Sequence, residues 1–85
     1  MKRDTSNYGI GAGELIQLSG LKKKYISSLC GIRPSRLSEY FTATRPLNEF
    51  DRESLRETLL GLDQFTRGQV ENALLKTESY FEEKI

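Results

Sequence analysis

The sequence KKYISSLCGIRPSRLSEYFT spans residues 23–42 and consists of two similar halves on either side of Gly31. In each half, apolar residues recur at positions i, i+3 and i+4, as along one face of a helix: Ile26, Leu29 and Cys30, then Leu37, Tyr40 and Phe41. Gly31 can adopt the positive φ that ends the first helix, and the small Ser27 lets the second helix cross closely. The pattern predicts a helix-turn-helix, with Pro34 suited to the first position of the second helix.

A longer stretch around this motif, GLKKKYISSLCGIRPSRLSEYFTATRP at residues 20–46, resembles a known family. It is similar to the core of the Cro/lambda-repressor (XRE-type) helix-turn-helix DNA-binding proteins. The residues that carry the resemblance are Gly20, Leu21, Ile26, Ser27, Leu29, Gly31, Ile32, Leu37 and Tyr40. Thr42, Ala43 and Thr44 stand where the family more usually has an Asn-Gly turn.

The resemblance implies that the helix from about Pro34 to Phe41 enters the DNA major groove and reads bases. The residues expected to face the groove are Arg33, Pro34, Ser35, Arg36, Ser38 and Glu39. Among them, Arg36 is expected to reach a guanine edge or a nearby phosphate. Glu39 either accepts a hydrogen bond from a cytosine amino group or pairs with an arginine and orients it. The alternative is an ordinary polar helix face.

Charge is distributed unevenly along the chain. Residues 1–46 carry eight Lys/Arg and three Asp/Glu, a balance of +5, whereas residues 47–85 carry five and nine, a balance of −4. Three lysines open the second helix, where each opposes the helix dipole by about 0.3–1 kcal/mol, so phosphate contact is a plausible reason for their presence. The expected phosphate contacts are Lys22, Lys23, Lys24, Thr42, Thr44 and Arg45; a solvated lysine run is the alternative.

Three further helices are predicted. A short first helix covers Glu14 to Leu18, with Leu15 and Leu18 as core candidates. The fourth helix begins after an Asp51 N-cap with a Phe50/Leu55 hydrophobic staple, reaches about Leu60 and is stopped by Gly61. The last helix begins with a Thr66/Gln69 capping box.

The last helix carries an apolar stripe that includes Val70, Leu74, Thr77 and Phe81. Because the helix is long for an 85-residue chain, these four residues are predicted to form a dimer interface; the alternative is that the whole stripe is core. The expected organisation is a flexible arm at 1–7, a helix-turn-helix core at 8–62 and the C-terminal helix at 63–85, in one domain. The predicted fold class is therefore an all-α bundle of about five short helices with a longer last one.

Several kinds of chemistry are not supported by the composition. The chain has no histidine, so no imidazole base and no standard zinc site is expected, and its single cysteine cannot form an internal disulfide. No signal peptide or membrane-spanning run is visible, so no membrane partner and a cytoplasmic location are expected. We expect no enzyme activity and no cofactor.

The sequence thus predicts a small transcriptional regulator of the phage or mobile-element repressor type. As a homodimer it would bind double-stranded DNA at a near-palindromic operator, with recognition helices about 34–36 Å apart. The alternative is that the scaffold binds another regulatory protein, as an antirepressor or accessory subunit, through its acidic C-terminal helices.

Overall fold

The computed structural model describes residues 11–83, with side chains up to residue 82, and the predicted arm at residues 1–7 lies outside this range. The described residues form five helices and no strand: α1 (Ala12–Ser19), α2 (Lys23–Cys30), α3 (Pro34–Phe41), α4 (Glu49–Gly61) and α5 (Arg67–Glu83). The predicted all-α bundle with a longer C-terminal helix is confirmed.

The core lies where the five helices meet. Helix α1 packs on α3 and α5, α2 packs on α3 and α4, and α4 packs on α5. The core residues come from every helix and from two of the connecting segments: Ala12, Ile16, Ile26, Ile32, Leu37, Tyr40, Leu47, Leu55, Leu59, Val70 and Leu74. Helix α3 is therefore held by buried side chains on one side, and its other side lies at the surface.

The turn between α2 and α3 has the predicted construction. Gly31 has a φ of 80° and ends α2, with its N–H donating to the Ser27 carbonyl at 2.8 Å. The Ser27 hydroxyl donates to the Ile32 carbonyl, and the Ile32 side chain is buried in the angle between the helices. Gly31 ends α2 and Ile32 is buried, as predicted, and the Ser27 hydroxyl adds a hydrogen bond across the turn.

Helix α1 crosses the end of α3 at Gly13. A Cβ built on Gly13 would overlap the Phe41 carbonyl oxygen and lie 2.9 Å from the Phe41 Cβ. Only a glycine allows the two backbones to approach this closely. The crossing fixes the C-terminal end of α3 against α1.

A buried hydrogen bond joins the two ends of the described chain. The Ala12 N–H donates to Thr77 Oγ1 at 2.8 Å, and the Thr77 hydroxyl donates to the Ala73 carbonyl at 2.9 Å. Thr77 thereby satisfies one of the N–H groups that the start of α1 leaves without a helical partner.

The predictions for α1 and α2 need correction. Helix α1 begins at Ala12 rather than Glu14 and buries Ala12, Leu15 and Ile16, so that Leu18 projects from another face and is 77% exposed. In α2, Ile26 is fully buried and Cys30 packs partly against the core, whereas Leu29 is 49% exposed. Each helix has a narrower buried stripe than the apolar residues of its sequence indicate.

The predicted ends of α4 are also wrong. The N-cap is Asn48, whose side chain accepts from the Asp51 N–H at 2.7 Å, so Asp51 lies in the first turn. Phe50 is 79% exposed and does not form the predicted staple. Gly61 is the last helical residue rather than the stop signal, and the left-handed residue after the helix is Asp63, with a φ of 61°.

The start of α5 confirms the predicted capping box. The Thr66 N–H donates to Gln69 Oε1 at 2.9 Å, and the Gln69 N–H donates to Thr66 Oγ1 at 3.1 Å.

The α5 stripe belongs to the core of the chain itself. Val70, Leu74 and Thr77 are buried by α1 and α4, and Phe81 stacks on the Tyr40 ring with 5.7 Å between ring centroids. We correct the proposed dimer interface accordingly, because these side chains already have intramolecular partners and offer little surface to a second subunit.

Candidate nucleic-acid interface

Helix α3 presents a polar face because its buried apolar residues point into the core. Leu37 and Tyr40 are completely buried, and Pro34 occupies the first turn, where its missing N–H costs no hydrogen bond. On the other side, Arg33, Pro34 and Ser35 are exposed, and Arg36, Ser38 and Glu39 are partly exposed. All six residues predicted to read bases therefore lie at least partly at the surface.

Tyr40 anchors this helix to the C-terminal part of the bundle. Its hydroxyl donates to Glu78 Oε2 at 2.7 Å, and Glu78 Oε1 lies 3.7 Å from an Arg52 guanidinium nitrogen. Burial, together with the hydrogen bond to Glu78, raises the pKa of Tyr40 far above its ordinary value of 10.0. The phenol therefore stays a neutral donor, and α3 is tied to both α4 and α5.

Glu39 lies between two arginines. Its Oε1 atom is 3.9 Å from Arg36 Nε and 3.8 Å from Arg45 Nη1. Arg36 Nε and Glu39 Oε1 are both shielded from solvent, yet neither makes a hydrogen bond. The contact is an ion pair without direct hydrogen bonding, and the Arg36 side chain as a whole remains 39% exposed.

The chain turns back tightly after α3. The Thr44 and Arg45 N–H groups both donate to the Glu39 carbonyl, at 2.7 and 3.2 Å. The Thr42 hydroxyl bonds to the Ser38 carbonyl at 2.9 Å and is 2.9 Å from Thr44 Oγ1. This turn places Arg45 beside Glu39. Thr42 and Thr44 are exposed, as expected for phosphate contacts, with hydroxyls that also stabilise the turn.

The three lysines adjoin α3 at the start of α2. Lys22 is the N-cap of α2 and makes no side-chain capping bond, and Lys22, Lys23 and Lys24 are all exposed. Lys23 Nζ lies 3.4 Å from Ser38 Oγ, which joins the lysine run to the polar face of α3. An open cleft of about 670 Å³ separates α1 from these residues and is lined in part by Gln17, Lys22, Lys23 and Thr42.

The structure thus brings together most of the predicted contact residues. We use the name reading surface for the polar face of α3, the lysines at the start of α2 and Arg45. The sequence predicted its members but not the Arg45–Glu39 pair or the Tyr40–Glu78 bond. Tyr40 and Glu78 are 38 residues apart, and no local pattern relates them.

Within residues 11–83, no group of three Cys, Asp or Glu side chains is arranged to hold a metal ion. Cys30 is a half-buried free thiol. In the described part of the chain, none of the helices has the length and apolar character needed to cross a membrane.

Comparison with known proteins gives no relative from which a role could be transferred. No protein-family model matches the chain, and no match was found among curated proteins or among solved structures.

Proposed function

We propose that the protein is a sequence-specific DNA-binding regulator of transcription, of the small repressor type that the helix-turn-helix stretch resembles. Helix α3 would enter the major groove with its polar face, and the lysines at the start of α2 and Arg45 would contact phosphates on either side. The protein would act without a cofactor and without enzymatic activity, in the cytoplasm.

The observation that best supports this proposal is that α3 is buried in the core on one side and carries exposed cations on the other. Leu37 and Tyr40 hold one side of the helix in the core, and the Tyr40–Glu78 bond fixes its rotation. The opposite side carries Arg33 and Arg36 beside three exposed lysines. A rigid helix with arginines outward and cations nearby suits a groove bordered by phosphates.

We further propose that the protein binds as a homodimer, because two recognition helices one helical turn apart would read a near-palindromic operator. The interface would use surface outside the buried α5 stripe. Sedimentation at increasing protein concentration, with and without operator DNA, measures this directly. A protein that stays monomeric and binds a symmetric site as a single chain would contradict it.

Selection of bound sites from a random duplex library tests the proposed function. The wild-type protein is expected to enrich a two-fold-symmetric motif. Arg36→Ala is expected to relax one base pair in each half-site, because a bidentate arginine–guanine contact is worth about 1–3 kcal/mol of discrimination. Arg67→Ala, at the exposed start of α5, is the matched control and should leave the motif unchanged. Failure of the wild-type protein to enrich any motif would contradict the proposal.

A second candidate function is protein interaction through the acidic half. Among the described residues of that half, three large hydrophobic side chains are exposed: Phe50 at 79%, Leu75 at 67% and Tyr80 at 45%. An interaction module would bind random duplex DNA weakly even at low salt. A DNA-binding protein would instead lose affinity steeply as salt rises, with a log–log slope of about −0.9 per neutralised phosphate.

A further inference from the structure

The carboxylate of Glu39 is held inside the reading surface by contacts on two sides. Arg36 Nε approaches Oε1 from the preceding turn of α3, and Arg45 approaches the same atom from the turn that follows. Arg45 is directed there by its own N–H, which bonds to the Glu39 carbonyl at 3.2 Å. Oε1 is shielded from solvent. Glu39 Oε1 therefore lies between two of the protein's own cations, while the side chain as a whole remains 40% exposed.

This arrangement determines which edge of the Arg36 guanidinium remains available. Nε faces Glu39 and is shielded from solvent, so the exposed part of the side chain lies beyond it. Among the described residues, Arg36 has no other hydrogen bond or ion pair. The two terminal nitrogens therefore form a free fork of N–H donors on the outward side of α3.

A pair of N–H donors on one guanidinium edge can distinguish guanine from adenine in the major groove. Guanine presents two acceptors there, O6 and N7, whereas adenine presents one acceptor and one donor. A guanidinium whose Nε is shielded beside Glu39 can meet guanine only with its terminal edge, so holding the side chain there also fixes its approach to the base.

We propose that Glu39 is a positioning residue that orients Arg36 end-on toward a guanine, and that it sets this specificity without contacting a base. This inference rests on the proposed DNA-binding function. Glu39 would act through Arg36, and Arg45 would keep the carboxylate in place while its remaining donors face the DNA backbone.

The test compares Glu39→Gln with the wild-type protein on the selected motif and on the same duplex with the Arg36-dependent guanine changed to adenine. Glutamine has the same shape but no charge. We expect the guanine-over-adenine preference to fall about threefold to fivefold, as for the loss of an exposed ion pair. Binding to random duplex should stay equal or become tighter, because a negative charge has been removed from the surface.

The same substitution in an Arg36→Ala background separates the two possible roles of Glu39. If Glu39 acts through Arg36, Glu39→Gln has no further effect on base preference there. A new loss of preference at a different base pair would mean that Glu39 reads a base itself, and it would overturn the inference.

A second variant and the wild-type motif complete the test. Glu39→Asp keeps the charge but shortens the reach, so it should reduce the guanine preference. A wild-type motif that neither Glu39 variant alters would overturn this inference alone. The absence of any wild-type motif would overturn the proposed function and this inference with it.

Discussion

Tyr40 is the residue on which the position of the reading surface most depends. It is the largest fully buried side chain among the described residues, and its ring contacts those of Phe41 and Phe81. Its hydroxyl is the only polar part, and it reaches Glu78 at 2.7 Å. A phenylalanine at this position would keep the packing and lose only the bond that connects α3 to α5.

Tyr40→Phe is expected to lower the free energy of unfolding by about 1–2 kcal/mol, because Glu78 loses a hydrogen-bond donor but keeps Arg52 and some solvent. Denaturant unfolding of the two proteins measures the change. Tyr80→Phe is the control, since Tyr80 is exposed and phenylalanine preserves the ring that lies 5.6 Å from Lys76 Nζ. Equal losses in both variants would contradict the assigned role of the Tyr40 hydroxyl.

The raised pKa of Tyr40 gives the same prediction a pH dependence. In the unfolded chain the phenol ionises near its ordinary value of 10.0, whereas in the folded protein it stays protonated well above that. The contribution of Tyr40 to stability is therefore complete below pH 10 and declines as the pH rises further. In Tyr40→Phe this part of the alkaline destabilisation should be missing.

Among the helices, the crossing of α1 and α3 is the contact that allows least change. Gly13→Ala would place a Cβ against the backbone of Phe41, which cannot move without displacing the end of α3. We expect a loss of about 1–3 kcal/mol in unfolding free energy, together with weaker selection of the operator.

The matched control for this crossing is Gly68→Ala in the first turn of α5. The nearest atom to its new Cβ would be Thr66 Oγ1 at 3.9 Å, and alanine favours helix by about 1 kcal/mol over glycine in a helix interior. Gly68→Ala should be neutral or stabilising, as measured by Tm. If Gly13→Ala were equally well tolerated, α1 and α3 would not be held together at this point.

Local signals in the sequence were enough to predict α3, the end of α2 and the start of α5. Pro34 marks its first turn, Gly31 ends the preceding helix, and Thr66 with Gln69 starts α5, all within a few residues. The start of α4 was misplaced because Asn48 and Asp51 can both cap a helix, and only the fold selects Asn48.

The candidate site was predictable only in part. An outward polar face on α3 follows once its apolar residues are turned inward. The position of Arg45 against Glu39 depends on the turn at Ala43, where φ is 59°. An alanine in this conformation is uncommon, and the sequence gives no signal of it.

At the scale of the whole molecule, the two halves differ in how their cationic side chains are paired. In the acidic half, Arg56 bonds to Glu71 at 2.6 Å and Arg52 lies near Glu78, so both arginines are paired within the bundle. The hydrogen bond from Arg56 also holds the pKa of Glu71 below its ordinary value. Among the described residues, the cations left for an external polyanion are therefore those of the reading surface together with Arg67 and Lys76.

Lys24→Gln is expected to weaken binding to all duplex sequences alike and to reduce the salt slope by about one unit, as for one lost phosphate contact. Arg67→Gln has the same change in net charge but should leave the slope unaltered. Arg67 is 14 residues from Phe81 along α5, about 21 Å from the end of α5 that touches α3. Equal effects of the two substitutions would indicate that only net charge matters. Titration of binding against salt concentration measures both.

The hydrogen bond between Thr77 and Ala12 has a consequence for folding during synthesis. During synthesis, α1, α2 and α3 leave the ribosome first, but α1 receives its buried partner only when residue 77 has emerged. Chains interrupted before that point lack Thr77, Glu78 and Phe81, and with them the contacts that fix the orientation of α3. If the protein binds an operator as proposed, incomplete chains would accordingly compete poorly for it.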